Sequence, residues 1–380
     1  MVADGNRRGY RHLLDAFWDE ARVHRLPLPT ADPVSAPSFC SARHKITSDL
    51  LRHILHEVAS NHLGQAFEPE RRWMGRRVFA IDGAKINLQR GYDLEAAFGV
   101  PEGGYCPQVL LSVLLDVCAK APVDLMVSGF ASSERQHLFE MLPSLAPGDV
   151  VVLDRGYPSH EVLQALVRES IDFLIRVPSS NTFDVIDELR EGEGDDYLYH
   201  VDPPKGSPTE WTRLILRAIR LRGPDGSESF FLTTLRRPSF SRAQLRGLYR
   251  LRWEAEEFYK LLKGPYIGQG QFRSKSPAGV VQELHALVLY LLIARVLMAT
   301  AAKDTATEYQ SLSQKSAVLG LAAYLTRLFL LTDPDVAITE LQALLQRIVR
   351  TRDKRRPRRA CPRVSFRPRR RWGPNGRCRG

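Results

Sequence analysis

The pattern of apolar and polar positions changes along the chain. Residues 1–70 carry helical periodicity in "GYRHLLDAFWDEARVH" and "SARHKITSDLLRHILHEVASNH", separated by the proline-rich "LPLPTADPVSAPS". A small DNA-binding or dimerising module fits this region, and so does a cap on the next domain. The pattern then turns to strands. "RRVFAIDGAKINL" reads as two strands joined at Asp82-Gly83, a dipeptide common in hairpins. "CPQVLLSVLLDVCA" reads as a long apolar strand, "SSERQHLFEML" as a capped helix, "GDVVVLDRGYPS" as a buried strand ending at Asp154, "SHEVLQALVRES" as a helix and "IDFLIRVP" as a strand. Three strands followed by helix, strand, helix and strand is a mixed α/β order.

Residues 177–228 are polar, rich in Gly, Asp and Pro, and alternate in "EWTRLILRAIRLRG", which predicts a β-rich insertion before the strand "SFFLTTL". A helix follows from Ser241, a second from Ser276-Pro277 (N-cap and first turn) to about Ala302, and residues 315–350 again look helical. The expected division is a helical N-terminal region (1–70), a core in two parts (71–176 and 229–302), the insertion between them (177–228), a C-terminal helical region (303–350) and a tail (351–380). No internal repeat interrupts it.

The Ser241 helix has an ordered polar face. Ser241 with Gln244 forms a capping box, and Gly264-Pro265 stops the helix, with no breaker between. At about 100° per residue, Leu248, Leu251, Ala255, Phe258 and Leu262 make one apolar stripe. With Tyr249 at 0°, Arg252 falls near 300°, Glu256 near 340°, Lys263 near 320° and Tyr259 near 280°, each roughly placed by that rotation. One explanation is simple i,i+4 ion pairing of Arg252 with Glu256. The other is a functional face, and the rest of the chain bears on the choice.

Charge placement changes the picture more than composition does. The formal net charge is +11, and residues 351–380 hold thirteen Arg or Lys against one acid, so the rest of the chain carries −1. An arginine-rich arm of this kind repels itself and suits a phosphate backbone as partner, a merely solubilising or disordered tail being the other reading. Five scattered cysteines without a C-x-x-C pair argue against a zinc site or a disulfide framework and fit a reducing cytoplasm. The N-terminus has no apolar signal core, and the apolar run Leu284–Ala294 is too short to span a membrane, so it reads as a buried helix. His53 and His56 lie one turn apart with no third ligand in view and read as surface residues.

Two acids are expected at strand ends, Asp82 and Asp154, and a third, Glu256, on the ordered helix face. Each acid alone can be a turn starter or a solvated charge. Three carboxylates converging on one point need cations between them, and Mg²⁺, an oxygen-seeking ion, pairs carboxylates with substrate phosphates. Two such ions clamp the attacking and leaving oxygens of a phosphoryl displacement. Arg252 and Lys263 would then neutralise phosphate charge.

Tyr249, Arg252, Glu256 and Lys263 fit Tyr-x2-Arg-x3-Glu-x6-Lys, the YREK signature, and the chain resembles bacterial insertion-sequence transposases of the DDE class, in the family called insertion sequence four. "RWEAEEFYKLLK", "IDGAK", "VVLDRGYPS" and "GQFRSKSPAGVVQELHALVL" are similar to that family's segments in the same order, over roughly residues 75–300, and "RRPRRACPR" resembles its usual ending. The N-terminal region is similar only around "SAPSFCSARHKI". The resemblance implies a ribonuclease H-like core with a β-rich insertion before the last acid, and Asp82, Asp154 and Glu256 as catalytic ligands of two Mg²⁺ ions, for which Mn²⁺ would substitute. It implies nicking at element ends, hairpin formation, reopening, and attack of the 3′-OH on target DNA.

By position, Tyr249, Arg252 and Lys263 are expected to contact DNA phosphates; Lys85 and Arg155, beside the acids, are further candidates. Trp253 and Trp211 could stack on an extruded base or simply pack. The expected partners are the inverted repeats and target DNA, with a homodimer in the synaptic complex and a cytoplasmic, nucleoid-associated location. Two alternatives stay open: a catalytically silent DNA-binding descendant, and a stand-alone metal-dependent nuclease.

Overall fold

The computed structural model describes residues 9–63, 72–178, 183–191, 194–223, 226–264 and 272–352. The arginine-rich tail beyond Arg352 and its two cysteines therefore lie outside the described residues, as does Pro265.

Helices α1 (Tyr10–Val23), α2 (Ala36–Arg43) and α3 (Ser48–Val58) form the N-terminal region. Strand β1 (Val78–Asn87), helix α4 (Tyr92–Phe98), β2 (Gln108–Asp116) and β3 (Ala121–Gly129) follow. Then come α5 (Glu134–Met141), β4 (Val150–Leu153), α6 (His160–Arg168) and β5 (Asp172–Val177). Helix α7 (Val185–Glu191), β6 (Asp196–Val201), β7 (Leu214–Arg222) and β8 (Glu228–Thr233) complete the sheet. The chain continues as α8 (Arg242–Leu251), α9 (Trp253–Leu262), α10 (Pro277–Asp304), α11 (Gln314–Leu330) and α12 (Pro334–Arg350).

The eight strands make one mixed sheet in the order β3-β2-β1-β4-β5-β8-β7-β6. β1 pairs antiparallel with β2 and parallel with β4, and β4 pairs parallel with β5. This is the ribonuclease H-like arrangement, α/β in class. β6 and β7 continue the same sheet past β8 instead of forming a separate one.

Two details differ from the sequence reading. Residues 78–87 form a single strand, not a hairpin: Asp82 and Gly83 sit opposite Val113 and Ser112 in an unbroken register from Phe79↔Asp116 to Asn87↔Gln108. The third strand is instead β3, which Pro122 and Asp124 obscure in the apolar pattern. Proline is tolerated because β3 is the sheet's edge. Asp124 is tolerated because Arg52 of α3 holds both its oxygens at 2.8 Å and Ser144 Oγ donates to it at 2.7 Å.

The sheet is covered on both faces, and strand alternation sorts the side chains. Val78, Ala80 and Ala84 of β1 and Val150 and Val152 of β4 join one core with Leu55 of α3 and the apolar residues of α8, α9 and α10. Phe79, Ile81, Val151 and Leu153 join the other, with α5 and α6. Helix α10 is apolar all round and is long and apolar enough to cross a membrane by length and composition, but most of it is buried inside the protein. It packs against α3, β3, α11 and α12, as a core helix does.

Candidate active site

The parallel pairing of β1 with β4 runs from Val78↔Val150 to Ala80↔Val152. Asp82 and Asp154 lie just past its end, each two residues on. Asp82 is thus inside β1 but past the last residue paired with β4, so it stands half-buried at the carboxyl end of the parallel strands. Its Oδ1 accepts from the Gly83 amide at 3.0 Å. Asp154 Oδ1 accepts from the Gly156 amide at 2.8 Å, which closes the turn after β4. Burial pushes the Asp82 carboxyl up to about 6; the Gly83 hydrogen bond opposes this, the charges of Glu134 and Asp154 add to it, and Arg252 opposes it.

Helices α8 and α9 bring the third acid from the other side. The capping box at Ser241 is present, with Ser241 N donating to Gln244 Oε1 at 2.8 Å. The helix is not continuous, however. Arg252 separates α8 from α9, with tightened i→i+3 bonds from Arg252 N to Tyr249 O (3.2 Å) and Ala255 N to Arg252 O (3.0 Å). This tightened turn carries the polar face. Arg252 Nη2 donates to Glu256 Oε1 at 2.5 Å, and its guanidinium stands 5.7 Å from the Tyr249 ring centroid. Burial works against the Arg252 charge, but the bond to Glu256 and the nearby Tyr249, Glu256 and Asp82 raise its pKa above the ordinary value. The Tyr249 ring packs edge-on against Phe231 of β8 at 4.7 Å.

Tyr259, placed by the helical wheel on the polar side, is buried. Its hydroxyl lies 2.7 Å from the Asp82 carbonyl oxygen and 3.1 Å from that of Leu111, so the single O–H is shared between β1 and β2. The Lys263 ammonium lies 5.8 Å from the Tyr259 ring centroid. Burial lowers the Lys263 pKa, and the charge of Asp82 opposes this.

Asp82 and Asp154 therefore share one electrostatic field, and Arg252 and Lys263 reach into it. Glu256 is turned to Arg252. Among the described residues no three His, Cys, Asp or Glu side chains stand close enough together to hold a metal as they lie. Lys85 is exposed on β1, its ammonium 5.6 Å from the Phe130 ring centroid, and Arg155 is exposed on the turn after Asp154.

Sequence reasoning missed two residues at this site, Glu134 and Tyr157, and put a third, Tyr259, on the polar face. Tyr157 is wholly buried three residues after Asp154, and its hydroxyl donates to Glu134 Oε2 at 3.2 Å. Its signal was present in "LDRGYP", where a tyrosine follows the turn. Trp211 is half-buried between β6 and β7; Trp253 is exposed and donates from Nε1 to Glu257 Oε1 at 2.9 Å. His53 is exposed as expected; His56 is only partly covered, with its Nε2 2.8 Å from Asp124 Oδ1.

Residues 73–293 match the Transposase DDE domain family. The chain belongs to that family. The matched span holds Asp82, Glu134, Asp154, Tyr249, Arg252, Glu256, Tyr259 and Lys263. Among solved structures, the chain is similar to the cryo-EM structure of the piggyBac transposase synaptic complex with hairpin DNA, at 11% identity and TM-score 0.44, over 70% of this chain and 57% of that one. No curated protein matches the sequence. DDE transposases use divalent cations, generally Mg²⁺. The donor set suits such an ion in kind, since the acids offer only oxygen ligands, but Glu256 would have to leave Arg252 to join Asp82 and Asp154; burial chiefly raises the Asp82 pKa, and the charges of Glu134 and Asp154 add to it.

Proposed function

We propose that this chain is the transposase of a bacterial insertion sequence of the YREK type. It cuts DNA at the inverted repeats of its element and joins the freed 3′-OH to target DNA. What supports the reading most is the approach of α9 to β1. Tyr259 fixes the helix to the Asp82 backbone, and Arg252 joins Glu256 to the field of Asp82.

Asp82, Asp154 and Glu256 would hold two Mg²⁺ ions, with Mn²⁺ as a substitute. Bound there, the ions supply Lewis acidity at the scissile phosphate and ease deprotonation of the attacking oxygen. Arg252 exchanges Glu256 for a phosphate, which it can grip with two parallel hydrogen bonds. Glu256 is then free to turn toward the two aspartates. Tyr249, Lys263, Lys85 and Arg155 contact neighbouring phosphates.

Water attacks phosphorus at the element end, and the 3′-oxygen leaves as a 3′-OH. That hydroxyl attacks a phosphate of the opposite strand, displacing the flank's 3′-oxygen and closing a hairpin; a second water attacks the hairpin phosphorus and displaces the element's 3′-oxygen, which leaves a 5′-phosphate and restores the 3′-OH. The same 3′-OH finally attacks a target phosphate and displaces the target's own 3′-oxygen. Two ends require two copies, so the acting form is a homodimer on DNA, in the nucleoid.

The test uses the full chain with Mg²⁺ and duplexes carrying the sequences that flank its gene. Wild type is expected to nick and join these ends. Glu256→Gln is expected to bind them with unchanged affinity and leave them uncut. Cutting by Glu256→Gln at the wild-type rate would remove Glu256 from the site. Wild-type binding without cutting in Mg²⁺ or Mn²⁺ would identify a silent DNA-binding descendant, and cutting of any DNA without joining a nuclease.

A further inference from the structure

A fourth carboxylate acts on the same two aspartates. Glu134 is the first residue of α5, behind the N-cap Ser133. It approaches β1 from the α5 face, over Gly83, which has no side chain to block it. By strand alternation Asp82 faces α9 with Ala80 and Ala84, whereas Gly83 faces α5. A β-carbon at position 83 would overlap the Glu134 carboxylate, so glycine here makes room for that acid beside Asp82.

The placement of Glu134 is held from two directions. Tyr157 donates its hydroxyl hydrogen to Glu134 Oε2, and Arg135 Nε donates to Gly156 O at 3.0 Å, tying α5 to the turn that carries Asp154. Among the described residues no Arg, Lys or His stands within ion-pair distance of Glu134, although Lys85 is close enough for its charge to act on it. Burial first, and then the charge of Asp154, raise the Glu134 pKa, with Tyr157 and Lys85 opposing. A surface acid with only a helix-terminus role needs neither a buried tyrosine nor a glycine cleared for it.

We propose that Glu134 helps to hold the divalent cation between Asp82 and Asp154, through the waters that such an ion keeps. The inference rests on the metal-dependent reading of the site given above. Mg²⁺ dehydrates reluctantly and keeps several waters, so a carboxylate just outside direct reach has a partner there. Tyr157 fixes the rotamer of Glu134, as an outer hydrogen bond orients a ligand.

The experiment measures Mn²⁺ binding to the full-length protein, without DNA, by electron paramagnetic resonance of free Mn²⁺ and by the Mn²⁺-induced rise in Tm. Three proteins are compared: wild type, Glu134→Gln and Asp82→Asn. Glutamine keeps an oxygen that accepts from Tyr157, so the metal-free Tm of Glu134→Gln should equal or exceed that of wild type. Its Mn²⁺ affinity should fall about tenfold, the usual effect of losing an outer-shell partner, and Asp82→Asn should fall further. Wild-type Mn²⁺ affinity in Glu134→Gln, with binding lost in Asp82→Asn, overturns this inference alone. Unchanged binding in both variants overturns the metal-site reading as well.

Discussion

The Tyr259 hydroxyl lies 2.7 Å from the carbonyl oxygen of Asp82. Tyr259 is three residues past Glu256 on α9, so this hydrogen bond ties the helix of one candidate acid to the strand of another. Leu111 O is the second acceptor, 3.1 Å away on β2. Tyr259→Phe keeps the ring and removes the shared donor. The expected loss in unfolding free energy is about 1 kcal/mol. The expected loss in strand cleavage is larger, on the order of tenfold or more, because small misplacements of catalytic groups are costly. Denaturant unfolding and single-turnover nicking of the same preparation would separate the two. Cleavage reduced only in proportion to stability would leave Tyr259 a core residue.

The ionised Asp82 carboxylate is disfavoured in the folded protein, chiefly by burial and then by the charges of Glu134 and Asp154. Asp82 is pushed up to about 6 from an ordinary 3.8, so between those pH values the folded state binds more protons than the unfolded one. Stability therefore falls as pH rises through this window, and the loss is complete above pH 6. The full move corresponds to ~3 kcal/mol; solvent at the partly exposed carboxylate reduces this to roughly 1–2 kcal/mol. Asp82→Asn in EDTA should thus be more stable than wild type at pH 8 by about that amount, and no more stable near pH 4, while cutting no DNA. Equal stability at pH 8 would show that the ionised acid carries no such penalty.

These relationships explain which parts of the molecule were legible in the sequence. Strand β4 and helix α6 were readable because an unbroken apolar run and a Ser159 cap say the same thing as the packing. Asp82-Gly83 misled because the same dipeptide that turns hairpins here stays in an extended strand, where the glycine makes room for Glu134. Glu134 itself looks like any acid in a first helical turn. Tyr259 read as polar-face because its burial depends on two carbonyls distant in sequence. Arg252 showed its i,i+4 partner in the sequence, but the break it makes between α8 and α9 has no breaker residue to announce it. The polar face and the ion pairing, posed as alternatives, coexist: Arg252 pairs with Glu256 and still acts on Asp82.

Away from the site, Asp124 should control how the N-terminal helices stay docked. It is fully buried on edge strand β3 and accepts from Arg52 and Ser144, with His56 beside it. Burial works against its charge, but these partners hold its carboxyl down at about 2. A depressed acid contributes stability above its unfolded value, so this contribution is present at neutral pH and is lost as pH falls from about 4 through 2. Asp124→Ala, which leaves Arg52 without its partner, should cost about 3–5 kcal/mol at pH 7. The difference from wild type should shrink in acid. A pH-independent difference measured by urea titration would assign the cost to packing instead.

The tail makes the last prediction, from charge alone. Removing residues 353–380 takes away twelve basic residues and one acid, leaving the remaining chain with no net excess of positive charge. For every DNA phosphate that the tail neutralises, its removal should lower the slope of log affinity against log salt by roughly 0.9 on duplex DNA. The truncated chain is therefore expected to bind random duplex much more weakly at 50 mM salt, with a visibly shallower slope. Nicking of a pre-formed end complex should be affected less, since Asp82, Asp154 and Glu256 all lie in the folded body. Filter binding across a salt series, beside a cleavage assay at saturating protein, reads both quantities. An unchanged slope would mean that the folded surface, and not the tail, engages the phosphates.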